Sequence, residues 1–257
     1  FDDGLLGGAG DDTIYGGAGK DLIDGGADND TIYGGADDDG IFGGSGDDKL
    51  YGDGGDDILD GGTGIDEMHG GTGDDTYLVD NAADQAIELE GEGFDIVLAS
   101  VDYALLAGSE IEVLAANDIN GTAPLDLTGN EFDQAIVGNA GDNVLEGKGG
   151  ADQLIGGDGI DTATYRSAST GVTIDLSLAV QVGGDADGDT YDSIEIIEGS
   201  QHGDTFYGTD DANHFRGLGG NDTFYGYDGD DTLVGGSGDD ILDGGAGDDV
   251  MIGGSGN

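Results

Sequence analysis

Aspartate recurs every nine residues from the start of this chain, and paired glycines precede it with the same period. The positions are Asp3, Asp12, Asp21, Asp30, Asp39, Asp48, Asp57, Asp66 and Asp75. The unit reads G-G-x-G-x-D-x-U-x, where U is a large apolar residue. Neither a helix nor an ordinary globular core requires a carboxylate at this strict period, whereas a stack of similar turns does. The period therefore predicts a repeat architecture.

Each unit has a physical interpretation as a turn followed by a very short strand. Glycine tolerates positive φ, so the paired glycines allow a tight turn, and Asp28 and Asp37 replace a turn glycine with a residue that also tolerates that region. The middle strand residue should point inward, because side chains alternate along a strand. The predicted core positions are Ile14, Ile23, Ile32, Ile41, Leu50, Leu59, Met68, Tyr77, Phe206, Phe215, Phe224, Leu233, Leu242 and Met251.

The pattern divides the chain into three repeat blocks, at residues 1–78, 129–164 and 199–257, separated by inserts at 79–128 and 165–198. Both inserts alternate short apolar and polar runs that read as strands. We expect them to extend or cap the stack, because an open end exposes unpaired edges and apolar core. Both termini fall within a repeat unit, so we expect the chain to be a piece of a longer polypeptide.

The periodic carboxylates are predicted to be metal ligands. Carboxylate and turn carbonyl oxygens are hard ligands, which suit Ca²⁺ with its six to eight oxygen ligands. In the second and third blocks the equivalent positions are Asn143, Asp152, Asp161, Asp204, Asn213, Asp222, Asp231, Asp240 and Asp249. Asn143 and Asn213 offer oxygen without charge, so sites there should be weaker or absent. Gln134 replaces the aspartate of one unit, and Ser200 alters the turn before Asp204.

The charge balance supports a fold completed by cations. The chain has 58 acidic residues against 5 Lys and Arg, a formal charge of −53. Such self-repulsion would hold a metal-free chain expanded. With no basic patch to neutralise phosphates, nucleic acid is not expected as a partner. No apolar run approaches ~18 residues, so no membrane insertion is expected, and the absence of Cys excludes disulfides and zinc–thiolate sites.

We do not expect an enzyme. Neither an H-E-x-x-H zinc motif nor a G-x-S-x-G nucleophile elbow occurs in the sequence. Carboxylate pairs recur throughout, and most should be ligated by calcium and so be unavailable as acids. The sequence accordingly predicts no catalytic residue and no organic cofactor.

The acidic triplet Asp185, Asp187 and Asp189 has the D-x-D-x-D spacing that opens an EF-hand loop. The sixth position of that loop is Thr190 rather than Gly, and the twelfth is Ile196 rather than Glu. An EF-hand is therefore not expected. A calcium loop of another kind and an exposed acidic hairpin both remain open for this segment.

Four units carry a specific resemblance to a known family: GGAGDDTIY, GGSGDDKLY, GGSGDDILD and GGAGDDVMI. They resemble the repeats of RTX (repeats-in-toxin) proteins. The resemblance implies a right-handed parallel β-roll in which two nonapeptides make one turn. Calcium would then lie between turns eighteen residues apart, for example those of Asp12 and Asp30. It also implies export by a type I secretion system.

The sequence thus predicts an all-β protein: a right-handed parallel β-roll, or β-solenoid, in three repeat blocks with β-rich inserts. The predicted function is a structural region that binds several Ca²⁺ ions and folds on binding them outside the cell, within a secreted or cell-surface protein. One alternative is an S-layer, filament or adhesin subunit that self-associates through calcium. Another is an auxiliary folding or polysaccharide-binding module of a secreted protease, lipase or alginate epimerase.

Overall fold

The computed structural model of the protein describes residues 1–256; Asn257, the last residue of the third block, lies outside them. Almost all regular structure in this range is short β-strand, with one 3-10 helix at Gly184–Ala186. The described part contains no helix of the length and apolarity needed to cross a membrane. The chain divides into two compact units, Phe1–Asp118 and the part from Ile119 onward.

The first unit contains thirteen strands. They are β1 (Gly4–Ala9), β2 (Thr13–Ala18), β3 (Leu22–Ala27), β4 (Thr31–Ala36), β5 (Gly40–Ser45), β6 (Lys49–Gly54), β7 (Ile58–Thr63), β8 (Glu67–Thr72), β9 (Thr76–Val79), β10 (Gln85–Ile87), β11 (Ile96–Ala99), β12 (Tyr103–Ala104) and β13 (Val113–Ala116). Each array strand therefore begins just after a repeat aspartate and runs into the following glycine pair.

The second unit contains the remaining strands, most of them only three residues long. They are β14 (Asp126–Thr128), β15 (Ala135–Val137), β16 (Val144–Glu146), β17 (Gln153–Ile155), β18 (Thr162–Thr164), β19 (Thr173–Asp175), β20 (Thr190–Asp192), β21 (Ile196–Glu198), β22 (Thr205–Tyr207), β23 (His214–Arg216), β24 (Thr223–Tyr225), β25 (Thr232–Ser237), β26 (Ile241–Asp243) and β27 (Val250–Ser255).

Within the repeat arrays, strands pair in parallel with the next strand but one, so successive strands belong to different sheets. In the first unit β1-β3-β5-β7-β9-β11-β13 form one sheet and β2-β4-β6-β8-β10 another. The array register is eighteen residues, with Ile14 beside Ile32 and Ile32 beside Leu50. One turn thus contains two nonapeptides. The predicted all-β parallel solenoid is confirmed.

The second unit repeats the arrangement with three sets of strands. These are β14-β16-β18-β21-β23-β25-β27, β15-β17-β20 and β19-β22-β24-β26. Phe206 lies beside Phe224 in the last set, and their rings stack 4.9 Å apart. In part of this unit, aromatic residues therefore fill the core position that isoleucine and leucine fill in the first.

The predicted inward residues form the core. Ile23, Ile41 and Phe215 have no exposed surface, like most of the set. The exceptions lie on edge strands: Ile14 and Leu242 are half-buried, and Met251 is 51% exposed. An edge strand lacks the neighbouring turn that would cover its inward side chain.

The inserts continue the stack, as expected. Strand β11 pairs with β9 and β13, and β10 pairs with β8. In the second insert β20 pairs with β17 and β21 with β18. The insert strands keep the parallel direction, and β10 keeps the eighteen-residue register on β8. The later insert strands are joined by loops of different lengths, so their register differs: Ile96 lies beside Thr76 and Thr190 beside Gln153.

The turns approach each other too closely for side chains. Gly26 has φ 109°, and a Cβ at this position would lie only 2.2 Å from the Gly8 carbonyl oxygen of the neighbouring turn. Asp28 and Asp37 have φ values of 74° and 75°, so they adopt the left-handed conformation predicted from their place in the repeat. Stacked turns therefore superpose backbone on backbone.

Candidate metal centre

Most repeat carboxylates use one oxygen to bind the neighbouring turn. The Oδ1 atom of Asp30 accepts the backbone N–H of Asp12 at 2.7 Å, and Oδ1 of Asp48 accepts that of Asp30 at 2.7 Å. The same bond recurs in the second unit, where Asp204 N–H donates to Asp222 Oδ1 at 2.8 Å. These bonds form ladders along the stack and fix the eighteen-residue register.

The second oxygen of most of these carboxylates is buried and has no hydrogen-bond partner among the described residues. This holds for Oδ2 of Asp12, Asp21, Asp30, Asp39, Asp48, Asp57, Asp66, Asp75, Asp152, Asp161, Asp222, Asp231 and Asp240. Leaving a buried carboxylate oxygen unpaired is costly, so such atoms are normally satisfied by a donor or a metal ion. These oxygens fit a cation.

The unpaired oxygens face backbone carbonyls across the position of a missing side chain. A Cβ at Gly43 would lie 2.5 Å from Asp48 Oδ2 and 2.6 Å from the carbonyl oxygen of Gly61 in the next turn. At Gly16 the corresponding distance to Asp21 Oδ2 is 2.6 Å. The first glycine of the unit thus leaves open a small space that two hard oxygens share, which is the ligand chemistry that Ca²⁺ prefers.

The electrostatics of these turns disfavour bare carboxylates. Burial, together with the neighbouring carboxylates, raises the pKa of Asp57, Asp66, Asp152 and Asp222 to about 7 from an ordinary value of 3.8. Backbone N–H donors oppose the shift without cancelling it. A divalent cation would stabilise the ionised form of the same oxygens.

The two predicted asparagine ligands lie in turns with a different hydrogen-bond pattern. The Asn143 side-chain nitrogen donates to the Gly141 carbonyl at 2.7 Å and to Asp161 Oδ1 at 2.9 Å, while its Oδ1 accepts the Leu125 N–H. The Asn213 Oδ1 atom accepts the Thr209 N–H at 2.8 Å. The Asn213 side-chain nitrogen donates to the Thr209 hydroxyl at 3.3 Å. In both turns the amide thus makes a hydrogen bond that a carboxylate cannot, and weaker calcium binding there stays a prediction.

Three further predicted ligands also differ from the main set. Both oxygens of Asp204 are hydrogen-bonded, because Oδ2 accepts the Ser200 N–H at 2.7 Å and Oδ1 accepts the Ser200 hydroxyl at 2.8 Å. Asp3 is exposed and Asp249 is half-buried, each in an outermost turn of the described chain. Calcium binding at these positions stays a prediction.

The inserts contribute carboxylates that the sequence analysis missed. Asp84 accepts the Asp66 N–H at 3.1 Å and Asp95 accepts that of Asp75 at 2.8 Å, so both continue the ladders. Asp84 follows Asp75 by nine residues, so the period alone could have found it without the glycines. Asp95 has no such signal, because a longer loop precedes it.

In the acidic triplet of the second insert, Asp189 belongs to the hydrogen-bond ladder. Its Oδ1 accepts the Asp152 N–H at 2.9 Å, and its Oδ2 accepts the Tyr165 hydroxyl at 2.6 Å. Asp185 is half-buried and Asp187 is exposed. Asp189 therefore acts as a ladder residue with both oxygens paired.

A second missed group lies where the first block meets its insert. One carboxylate oxygen from each of Asp75, Glu88 and Asp95 lies within 4.8 Å of the other two, and all three side chains are buried. Burial raises the pKa of Glu88 to about 8. Neither Glu88 nor Asp95 occupies a recognisable repeat position, so the nonapeptide pattern could not reveal this group.

The fold and these turns define a parallel β-solenoid with glycine–carboxylate turns on its flanks. The family model for the RTX calcium-binding nonapeptide repeat matches residues 1–32, 15–50, 33–68, 51–86, 128–163, 198–233 and 225–257. These matches cover more than half of the chain, which therefore belongs to this family of calcium-binding repeats. No curated protein matches the chain.

Proposed function

We propose that this chain is a calcium-dependent folding region of a secreted or cell-surface protein. It stays expanded where calcium is scarce and folds where calcium is abundant, as it is outside cells. The observation that carries the proposal is the series of buried, unpaired Oδ2 atoms that face carbonyl oxygens in successive turns. The family match supports calcium as the ion.

Calcium binding to the folded state supplies the driving force for folding. An ion that binds only the folded state stabilises it by RT ln(1 + [L]/Kd), about 2.7 kcal/mol at a free concentration of 100 Kd. Each Asp in the array donates its N–H to the carboxylate of the next turn, so neighbouring sites share structure. Binding should therefore be cooperative along the stack, as in other repeat proteins.

The polysaccharide-binding alternative gains little support from the outward aromatic residues. Tyr15, Tyr33, Tyr51 and His69 form a column whose rings are nearly parallel and 4.8–5.0 Å apart. Their faces cover one another, whereas a sugar ring stacks on an open aromatic face. The column is explained by cross-strand stacking within one sheet.

A calcium titration followed by far-UV circular dichroism and sedimentation on the same samples tests the proposal, with magnesium as control. We expect a cooperative coil-to-β transition that calcium produces and magnesium does not, without growth in mass. Simultaneous growth in mass would instead favour the surface-assembly alternative. Full β structure in chelator would contradict calcium-dependent folding.

A further inference from the structure

Asp75, Glu88 and Asp95 meet because two sheets continue from the first block into its insert. Strand β11 pairs with β9, which stacks Asp95 on Asp75 and lets Oδ1 of Asp95 accept the Asp75 N–H. Strand β10 pairs with β8, which brings Glu88, the residue after β10, over Gly70. The three side chains are at most 1% exposed.

Glu88 supplies an oxygen where array turns supply a backbone carbonyl. A Cβ at Gly34 would lie 2.5 Å from Asp39 Oδ2 and 3.0 Å from the carbonyl oxygen of Gly52. At the equivalent Gly70, the atoms in those two places are Asp75 Oδ2 and Glu88 Oε1. A charged side-chain oxygen thus replaces a neutral carbonyl at this turn.

The surrounding residues hold the Glu88 carboxylate in this position. The Tyr77 hydroxyl donates to Glu88 Oε1 and accepts the Gly70 N–H at 2.6 Å. The Glu88 N–H donates to Ser109 Oγ at 2.9 Å, and that hydroxyl donates to the Ala86 carbonyl at 2.9 Å. The backbone and one oxygen of Glu88 are therefore fixed by the protein.

The remaining oxygens are left uncompensated. Glu88 Oε2 and Asp75 Oδ2 are buried without a hydrogen-bond partner among residues 1–256. The first unit has two lysines, Lys20 and Lys49, which pair with Asp38 and Glu67 on the surface. Its one histidine, His69, also pairs with Glu67. No protein cation of the described chain therefore pairs with this cluster, although buried carboxylates at such spacing require positive charge or protons.

We propose that Asp75, Glu88 and Asp95 bind one divalent cation of the calcium class where the last turn of the first block meets the insert. Glu88 there takes the place of the carbonyl that the other turns supply. The site goes beyond the proposed function, and rests on it only through Asp75, which also belongs to the array. Three carboxylates converge on it, so it should fill at lower calcium concentration than the array turns. Occupation would tie β9, β10 and β11 together and anchor the insert to the array.

Calorimetric titration of the full chain with calcium tests the site. Glu88→Gln keeps the side-chain shape and removes the charge, and Glu90→Gln is a matched control at an exposed position two residues away. We expect Glu88→Gln to weaken the tightest-binding ion at least tenfold, whereas Glu90→Gln leaves it unchanged. Identical tight binding in the two variants would overturn the proposal. It would mean that protons, and not a cation, neutralise the three carboxylates.

A terbium titration gives a readout that does not depend on the Glu88 variant folding. Tyr77 touches Glu88, so its phenol should sensitise the emission of a Tb³⁺ ion bound at the cluster. We expect Tyr77→Phe, which keeps the buried ring, to remove most of the tyrosine-excited emission of the first equivalent bound. Undiminished emission of that equivalent would contradict a site at this place.

Asp48→Asn separates this proposal from the proposed function. Asp48 belongs to the other ladder of the first unit, with its own unpaired Oδ2. We expect this variant to shift the calcium-induced folding transition and to retain the tight ion. If the unmodified chain shows no calcium-induced transition but Glu88→Gln and Glu90→Gln still differ in tight binding, the cluster alone is supported. A retained transition without that difference would support the proposed function alone.

Discussion

At the scale of single residues, the repeat aspartate performs two tasks with two oxygens. Oδ1 closes the ladder to the preceding turn, and Oδ2 remains for a cation. Asn143 shows how the second task changes when the carboxylate becomes an amide, because its nitrogen donates to surrounding oxygens. The structural task and the binding task can therefore be separated by mutation.

Asp48→Asn should impair calcium binding while it preserves the ladder bond to Asp30. We expect the calcium midpoint of folding to rise by an amount that corresponds to roughly 1–3 kcal/mol, the contribution of one saturated site. Circular dichroism in a calcium titration measures it. Asp47→Asn, at the exposed neighbouring position, is the control, and equal midpoints for the two variants would show that Asp48 binds no ion.

Gly43→Ala should fill the space that Asp48 Oδ2 and the Gly61 carbonyl share. The φ of Gly43 is not in the left-handed region, so the effect is steric rather than conformational. We expect a loss of about 1–3 kcal/mol in urea unfolding with saturating calcium, typical of overpacking. Gly4→Ala in β1, where a Cβ meets no atom within 4 Å, should be nearly neutral. Similar losses of stability in both variants would argue against a specific role for the space beside Gly43.

At the scale of elements, the array strands and their cores could be predicted because the same unit recurs. Ile23 and Phe206 point inward for the same reason: each lies two positions after the aspartate of its repeat unit. The inserts could not be predicted to the same degree. Asp95 stacks on a carboxylate twenty residues earlier and Asp189 on one thirty-seven residues earlier, so loop length breaks the period while pairing continues.

Tyr165→Phe tests how the second insert is held. The Tyr165 hydroxyl bonds Asp189 Oδ2 at 2.6 Å and the Tyr191 hydroxyl at 2.5 Å inside the protein. Removing it leaves a buried carboxylate oxygen unpaired, so we expect a loss of about 1–3 kcal/mol in urea unfolding. Tyr15→Phe, at a 67% exposed position, is the control. Equal stability of the two variants would mean that the hydroxyl contributes nothing.

At the scale of the whole molecule, stability is governed by how the charge of −53 is neutralised. Calcium and protons are two ways to neutralise the same buried oxygens. Every ion bound removes two negative charges, and protonation removes one per carboxylate. The fold should therefore respond to pH in opposite directions with and without calcium.

In chelator, acidification should stabilise the fold. The pKa of Asp57, Asp66 and Asp222 is raised to about 7 in the folded chain from 3.8, so the folded state binds more protons between these values. The resulting stability is complete below 3.8 and is lost as pH rises towards 7. Circular dichroism in chelator should show more β structure at pH 4 than at pH 7.5. Less β structure at pH 4 would contradict the burial of these carboxylates.

Anomalous diffraction from crystals grown in calcium tests most directly whether the unpaired oxygens are ligands. We expect anomalous peaks at about 2.4 Å from Asp48 Oδ2 and from the Gly61 carbonyl oxygen, repeated at each buried repeat aspartate. Peaks confined to exposed carboxylates, with the buried Oδ2 atoms bonded to water or protein, would contradict calcium as the element that completes this fold.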